Sequence, residues 1–113
     1  MTSKQDLQRL STLAELVLDQ KLGNLRQAAL HLERSKDQLR AINAAAAPAD
    51  LPPVAAGLVE LNYGRWADIR RAELNTVMAR QTAELFEMRT EATTAFGRLQ
   101  ALRGAVAKAK PPR

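Results

Sequence analysis

Ala44-Ala-Ala-Ala-Pro48-Ala-Asp-Leu-Pro52-Pro53 is the stretch on which the fold turns. Proline lacks a backbone N–H, its ring clashes with the preceding turn, and it pushes the residue before it toward extended conformations. Three prolines this close together break any helix that reaches them. On either side the chain changes character. Residues 3–46 hold Gly23 and no proline, and residues 54–108 hold Gly57, Gly64, Gly97 and Gly104 and no proline. Both arms are dominated by Ala, Leu, Glu, Gln, Arg and Lys, the strongest helix formers. No segment alternates with period two, so no strand is expected.

Apolar residues in the two arms recur at heptad spacing. Leu18, Leu25, Leu32 and Leu39 lie seven apart, with Leu7, Ala14, Ala28 and Ile42 on the half-step, which Lys21 and Ser35 share. The second arm repeats the pattern with Met78, Leu85, Ala92, Leu99 and Val106. Its half-step positions are Leu74, Gln81, Met88, Ala95 and Leu102. A seam this narrow and this long is that of a coiled coil rather than a broad globular face. The expected fold is therefore all-α, with two long helices forming an antiparallel coiled-coil hairpin. Its parts are a helix over 3–46, a proline-containing joint over 47–54, a helix over 55–108 and a basic tail over 109–113. Acid-before-base pairs such as Asp6/Arg9, Glu33/Lys36, Asp37/Arg40 and Asp68/Arg71 add at most a few tenths of a kcal/mol each.

A joint centred near residue 51 sets an expected register: Leu25 beside Met78, Leu18 beside Leu85 and Leu7 beside Phe96. At ~1.5 Å per residue the arms span ~65 and ~80 Å. Residues from about Leu99 onward are then left without a facing arm. Leu99, Leu102 and Val106, ringed by Arg103, Lys108 and Lys110, form an expected overhang that docks into another protein.

Composition narrows the function classes. The 113 residues suit a single domain. With no cysteine there is no material for a disulfide framework, a zinc–thiolate site or thiol catalysis, and one histidine, His31, cannot by itself build a catalytic triad or a multi-histidine metal site. His31 has Gln27 and Ser35 one turn away, so it reads as a solvated helical histidine. Glu84, Glu87 and Glu91 lie at helical spacing but read as an acidic surface beside Arg80 and Arg89. The isolated glycines build no phosphate-binding loop. No enzyme activity, small-molecule substrate, cofactor or metal is expected.

The 17 Lys and Arg against 12 Asp and Glu give a formal charge of +5. Each arm is nearly balanced, and the excess sits in Lys108, Lys110 and Arg113. A nucleic-acid binder carries a basic face with aromatic or arginine readers, whereas here acids interrupt every basic run but the tail. No apolar run approaches the ~18 residues of a membrane span, and no apolar stretch follows the N-terminal charge. A cytoplasmic protein is expected, in contact with membrane only through its partners.

The chain's only tyrosine and tryptophan, Tyr63 and Trp66, lie three apart on one helical face. They are expected to pack on Leu39 and Ile42 at the closed end. As residue types enriched at binding hot spots, they are also candidate partner contacts.

Tyr63-Gly-Arg-Trp66, Arg71-Ala-Glu-Leu-Asn75 and Met78-Ala-Arg-Gln81-Thr-Ala-Glu-Leu85, with the opening Leu7-Gln-Arg-Leu10-Ser-Thr-Leu13-Ala-Glu-Leu16, resemble the FliJ-like proteins of flagellar type III export. The YscO-like stalks of injection-type secretion systems are as near. This chain is shorter, and its proline-rich joint departs from the pattern. The resemblance implies a coiled-coil stalk whose terminal end enters a hexameric export ATPase, and which also contacts the export gate. Two other readings stand beside it. One is a basic hairpin that binds nucleic acid or the ribosome. The other is a structural homodimer in a four-helix bundle, which needs a seam wider than the heptad positions, as Leu22, Ala29 and Val77 suggest.

Overall fold

A computed structural model describes residues 3–45 and 51–110. It contains two helices, α1 (Lys4–Ala44) and α2 (Pro53–Lys108), and no strand among the described residues. This all-helical architecture is consistent with a helical hairpin. Residues 47–50 of the expected joint, and the tail beyond Lys110, lie outside the described residues.

Local chemistry sets the helix ends. Ser3 caps α1: its Oγ accepts from the Asp6 amide at 3.1 Å and its carbonyl from the Leu7 amide at 3.0 Å. Asp6 also places negative charge in the first turn, where the helix dipole favours it. α2 starts two residues earlier than expected, at Pro53. The first helical position needs no N–H partner, so proline fits there, and the Pro52 carbonyl accepts from Ala56 at 2.8 Å. The far end carries Lys108 in its last turn and closes with Ala109 donating to Val106 at 3.2 Å. Within α2, Thr76, Thr82, Thr90 and Thr93 each satisfy their hydroxyl on the carbonyl four residues back.

Burial follows the heptad spacing. Along α1 the residues shielded from solvent advance by alternating threes and fours, from Leu7 through Leu18, Leu25 and Leu32 to Ile42. Along α2 the same alternation runs from Met78 through Leu85, Ala92 and Leu99 to Val106. Polar residues that fall on this spacing are drawn in with it. Ser35 is buried, and the Gln81 Oε1 is buried without a hydrogen-bond partner.

The packing divides into two compact units. Leu30–Ala83 forms one, built on Ile42, Ala67 and Leu74 with Leu39 and Tyr63 against them. Its cross-helix bonds are Tyr63 Oη to the Ile42 carbonyl at 2.8 Å, Arg70 Nη2 to Gln38 Oε1 at 3.2 Å and Arg71 Nε to Asn43 Oδ1 at 2.9 Å. The other unit joins the α1 segment up to Ala29 with the α2 segment from Glu84. Its buried apolar residues are Ala28, Ala92, Ala95 and Leu99. Lys21 pairs with Glu91 at 3.6 Å, and Arg103 with Glu15 at 3.0 Å. The small alanine side chains allow close helix approach but bury little apolar area.

These contacts correct the expected register. Leu18 shares a groove with Phe96, about three turns of α2 (~3.6 residues each) beyond the expected Leu85. Leu25 lines the same groove, with Arg89. The expected overhang is corrected with it, since Leu99 is only 2% exposed and Arg103 is held by Glu15. The physical reason lies within the terminal unit itself: Glu15 of α1 reaches Arg103, so the seam residue Leu99 has a helix facing it. In the Leu30–Ala83 unit the end of α1 is engaged by Tyr63, Ala67 and Leu74, as the expected packing of Tyr63 on Leu39 and Ile42 requires.

Candidate protein-binding surfaces

Within the Leu30–Ala83 unit, the turns of α2 before Tyr63 precede its hydrogen bond to α1. There Val54, Leu58 and Leu61 stand exposed at i, i+4 and i+7, a spacing that places them on one helical face. Ile69 continues that face at 63% exposure, and Trp66 flanks it at 52%. Arg65 lies in the same stripe. An apolar helical face with an aromatic edge and a central arginine is the form in which a helix offers itself to a partner's groove.

Tyr63 and Trp66 divide between the two roles weighed for them. The Tyr63 hydroxyl donates to the Ile42 carbonyl, and its ring packs on the core, as its pairing with Leu39 and Ile42 anticipated. Trp66 touches that ring at a centroid distance of 5.5 Å, tilted by 43°, and leaves about half its surface open. A two-helix layer has no third element to cover an indole.

In the other unit, the two flanks of the seam differ. One holds Val17, Lys21, Thr90, Glu91, Thr94 and Arg98 around the Lys21–Glu91 ion pair. The other is a groove of about 420 Å³ lined by Leu18, Leu22, Leu25, Ala92, Thr93 and Phe96, with Arg89 at one end. Phe96 is 50% exposed. Phe86, also exposed, lies under the Arg89 guanidinium at 5.6 Å from its centroid. Past Phe96 and Leu18 the groove runs on to Glu15, Asp19, Leu99 and Arg103.

The remaining sequence candidates sit at the end of α2. Leu102 and Val106 are half-buried on the seam, Arg103 is exposed but paired with Glu15, and Lys108 is exposed in the last turn. Leu99 is core. Among the described residues no three His, Asp or Glu side chains converge to hold a metal ion, Glu84, Glu87 and Glu91 included. No described helix is long and apolar enough to cross a membrane.

Sequence reasoning missed the Val54–Leu58–Leu61–Ile69 face and the Phe86–Arg89–Phe96 wall. The signal for the first was present as apolar residues at i, i+4 and i+7 directly after the prolines, off the main seam. The signal for the second was two phenylalanines, of which Phe86 has no place on the heptad and Phe96 follows a seam alanine. Set against protein-family models, curated proteins and solved structures, the chain gives no match.

Proposed function

We propose that this protein is a non-enzymatic adaptor. It folds as an antiparallel coiled-coil hairpin and uses the first turns of α2 as a docking helix for a protein partner. The observation that carries this reading is the exposed face of Val54, Leu58, Leu61 and Ile69 beside Trp66. Apolar side chains in this number, on one face and ahead of the first cross-helix bond, contribute nothing to the hairpin itself. The heptad spacing of the shielded residues supports the coiled coil, and the opposed order of the Lys21–Glu91 and Glu15–Arg103 pairs supports its antiparallel sense.

The resemblance to FliJ-like and YscO-like proteins supplies the setting: protein export of the flagellar or injection type, in the cytoplasm, at a hexameric export ATPase and an export gate. In that setting Trp66 and its face engage one partner, and Leu102, Val106 and Lys108 at the far end of α2 supply contacts to another. Acids are interspersed with the arginines along both helices, Arg40 pairing with Glu33 and Asp37, Arg70 with Glu73 and Arg71 with Asp68, rather than leaving an uninterrupted basic face, which favours protein over nucleic acid as the partner.

The test is a titration of the fluorescently labelled chain with an export ATPase hexamer and with the cytoplasmic domain of an export gate. Binding to either, weakened about tenfold or more by Leu58→Ser with Ile69→Ser while the melting curve stays in place, is the expected result. Binding to neither excludes the export setting. Binding that the double variant leaves unchanged excludes the docking helix.

A further inference from the structure

We propose that the groove of the terminal unit is a self-association surface, closed by the same groove of a second copy of this chain. This goes beyond the adaptor reading and does not depend on it. The two helices leave one flank of their seam polar and internally paired, and the other apolar and open. On the open flank Leu22, Phe86 and Phe96 stand out from the floor made by Leu18, Leu25 and Ala92.

Charge selects the occupant. Arg89 closes one end of the groove, level with Leu25, and makes no ion pair among the described residues; its guanidinium rests on Phe86. Beyond the other end, past Phe96, stands Asp19, which also pairs with no base among the described residues, because Arg103 there is taken by Glu15. A partner that matches this face needs an acid where Arg89 ends the groove, a base opposite Asp19, and apolar groups between. A second copy turned about a two-fold axis through the Leu22–Phe96 region offers that set in that order. Its Asp19 comes to Arg89 and its Arg89 to Asp19, while the phenylalanines enter the facing grooves. An isologous contact has to be self-complementary in this way. Four helices then pack locally where two did before.

The area fits a reversible dimer. Each phenylalanine carries about 150–250 Å², roughly half of it open. With Leu22 and the rim, the face amounts to roughly 500 Å² per copy. Two copies bury on the order of 1,000 Å², about the least that a specific interface clears.

The experiment is sedimentation equilibrium of the full chain across a concentration series, with three variants. The wild type is expected to shift from monomer to dimer as concentration rises. Phe96→Ser should weaken the dimer about tenfold or more with helicity unchanged, since Phe96 is half exposed in the single chain. Arg89→Asp alone and Asp19→Arg alone should each weaken self-association, because each opposes like charges at both ends of the interface. Mixed together, the two charge variants should associate with each other more tightly than either does with itself. A chain that stays monomeric at every concentration overturns the proposal. So does a dimer indifferent to Phe96→Ser, or a mixture of charge variants that does not restore association.

Discussion

Tyr63 and Trp66 show how far single residues specify this molecule. Both are large, aromatic and three apart, yet one holds a hydrogen bond across the helices and the other faces solvent. Tyr63→Phe is expected to lower stability by about 0.5–1.5 kcal/mol in urea denaturation, the net worth of a hydrogen bond whose acceptor is left behind. Trp66→Ala should change it far less. Gln81 is the opposite case, with its side-chain oxygen shielded from water and unsatisfied. Gln81→Leu should raise the urea midpoint, with a gain in unfolding free energy of about 1–3 kcal/mol if the whole desolvation cost is relieved. A lowered midpoint would mean that the amide has a partner in solution. Heptad spacing placed Gln81 on the seam, and residue type placed Tyr63 against Leu39 and Ile42. Whether Trp66 is covered depends on how many elements surround it, which no local spacing encodes.

At the scale of the element, α1 was legible almost to the residue. The proline-free run of strong helix formers gave its extent, and the heptad spacing of its leucines gave its buried face. α2 was legible in extent and along its later seam, but not at its start. Pro53 reads as a breaker until it is seen as a first helical residue, and Val54, Leu58 and Leu61 read as a continuation of the hairpin rather than as turns ahead of it. The difference matters energetically. Leu74, 2% exposed within the Ile42–Ala67 cluster, should cost about 2–5 kcal/mol when changed to Ala. Leu58→Ala, in a helix of the same composition, should leave thermal unfolding nearly unchanged. The pair of melting curves separates core from docking face along a single helix.

For the molecule as a whole, the sequence reading carried the all-helical class and the two long helices, and lost the register of the terminal unit. Heptad periodicity states which face of each helix is inward but not which turn of one meets which turn of the other, because apolar residues a few turns apart on a seam are interchangeable to the pattern. Within the terminal unit Leu18 faces Phe96 where Leu85 was expected, and Leu99 is core rather than a docking residue. Within the Leu30–Ala83 unit, Val54, Leu58 and Leu61 stand exposed and are the candidate contacts.

The register is therefore what the rest depends on, and one measurement addresses it. The chain has no cysteine, so a pair introduced at Glu15 and Arg103, exposed positions that form a cross-helix ion pair at 3.0 Å, reports on that contact alone. At low protein concentration, a short thiol-reactive crosslinker is expected to join Glu15→Cys and Arg103→Cys rapidly within one chain. It should leave Glu15→Cys with Glu87→Cys unjoined, since Glu87 lies ~24 Å away along α2 at ~1.5 Å per residue. Efficient joining of the second pair in place of the first, or joining only between chains, would contradict the account.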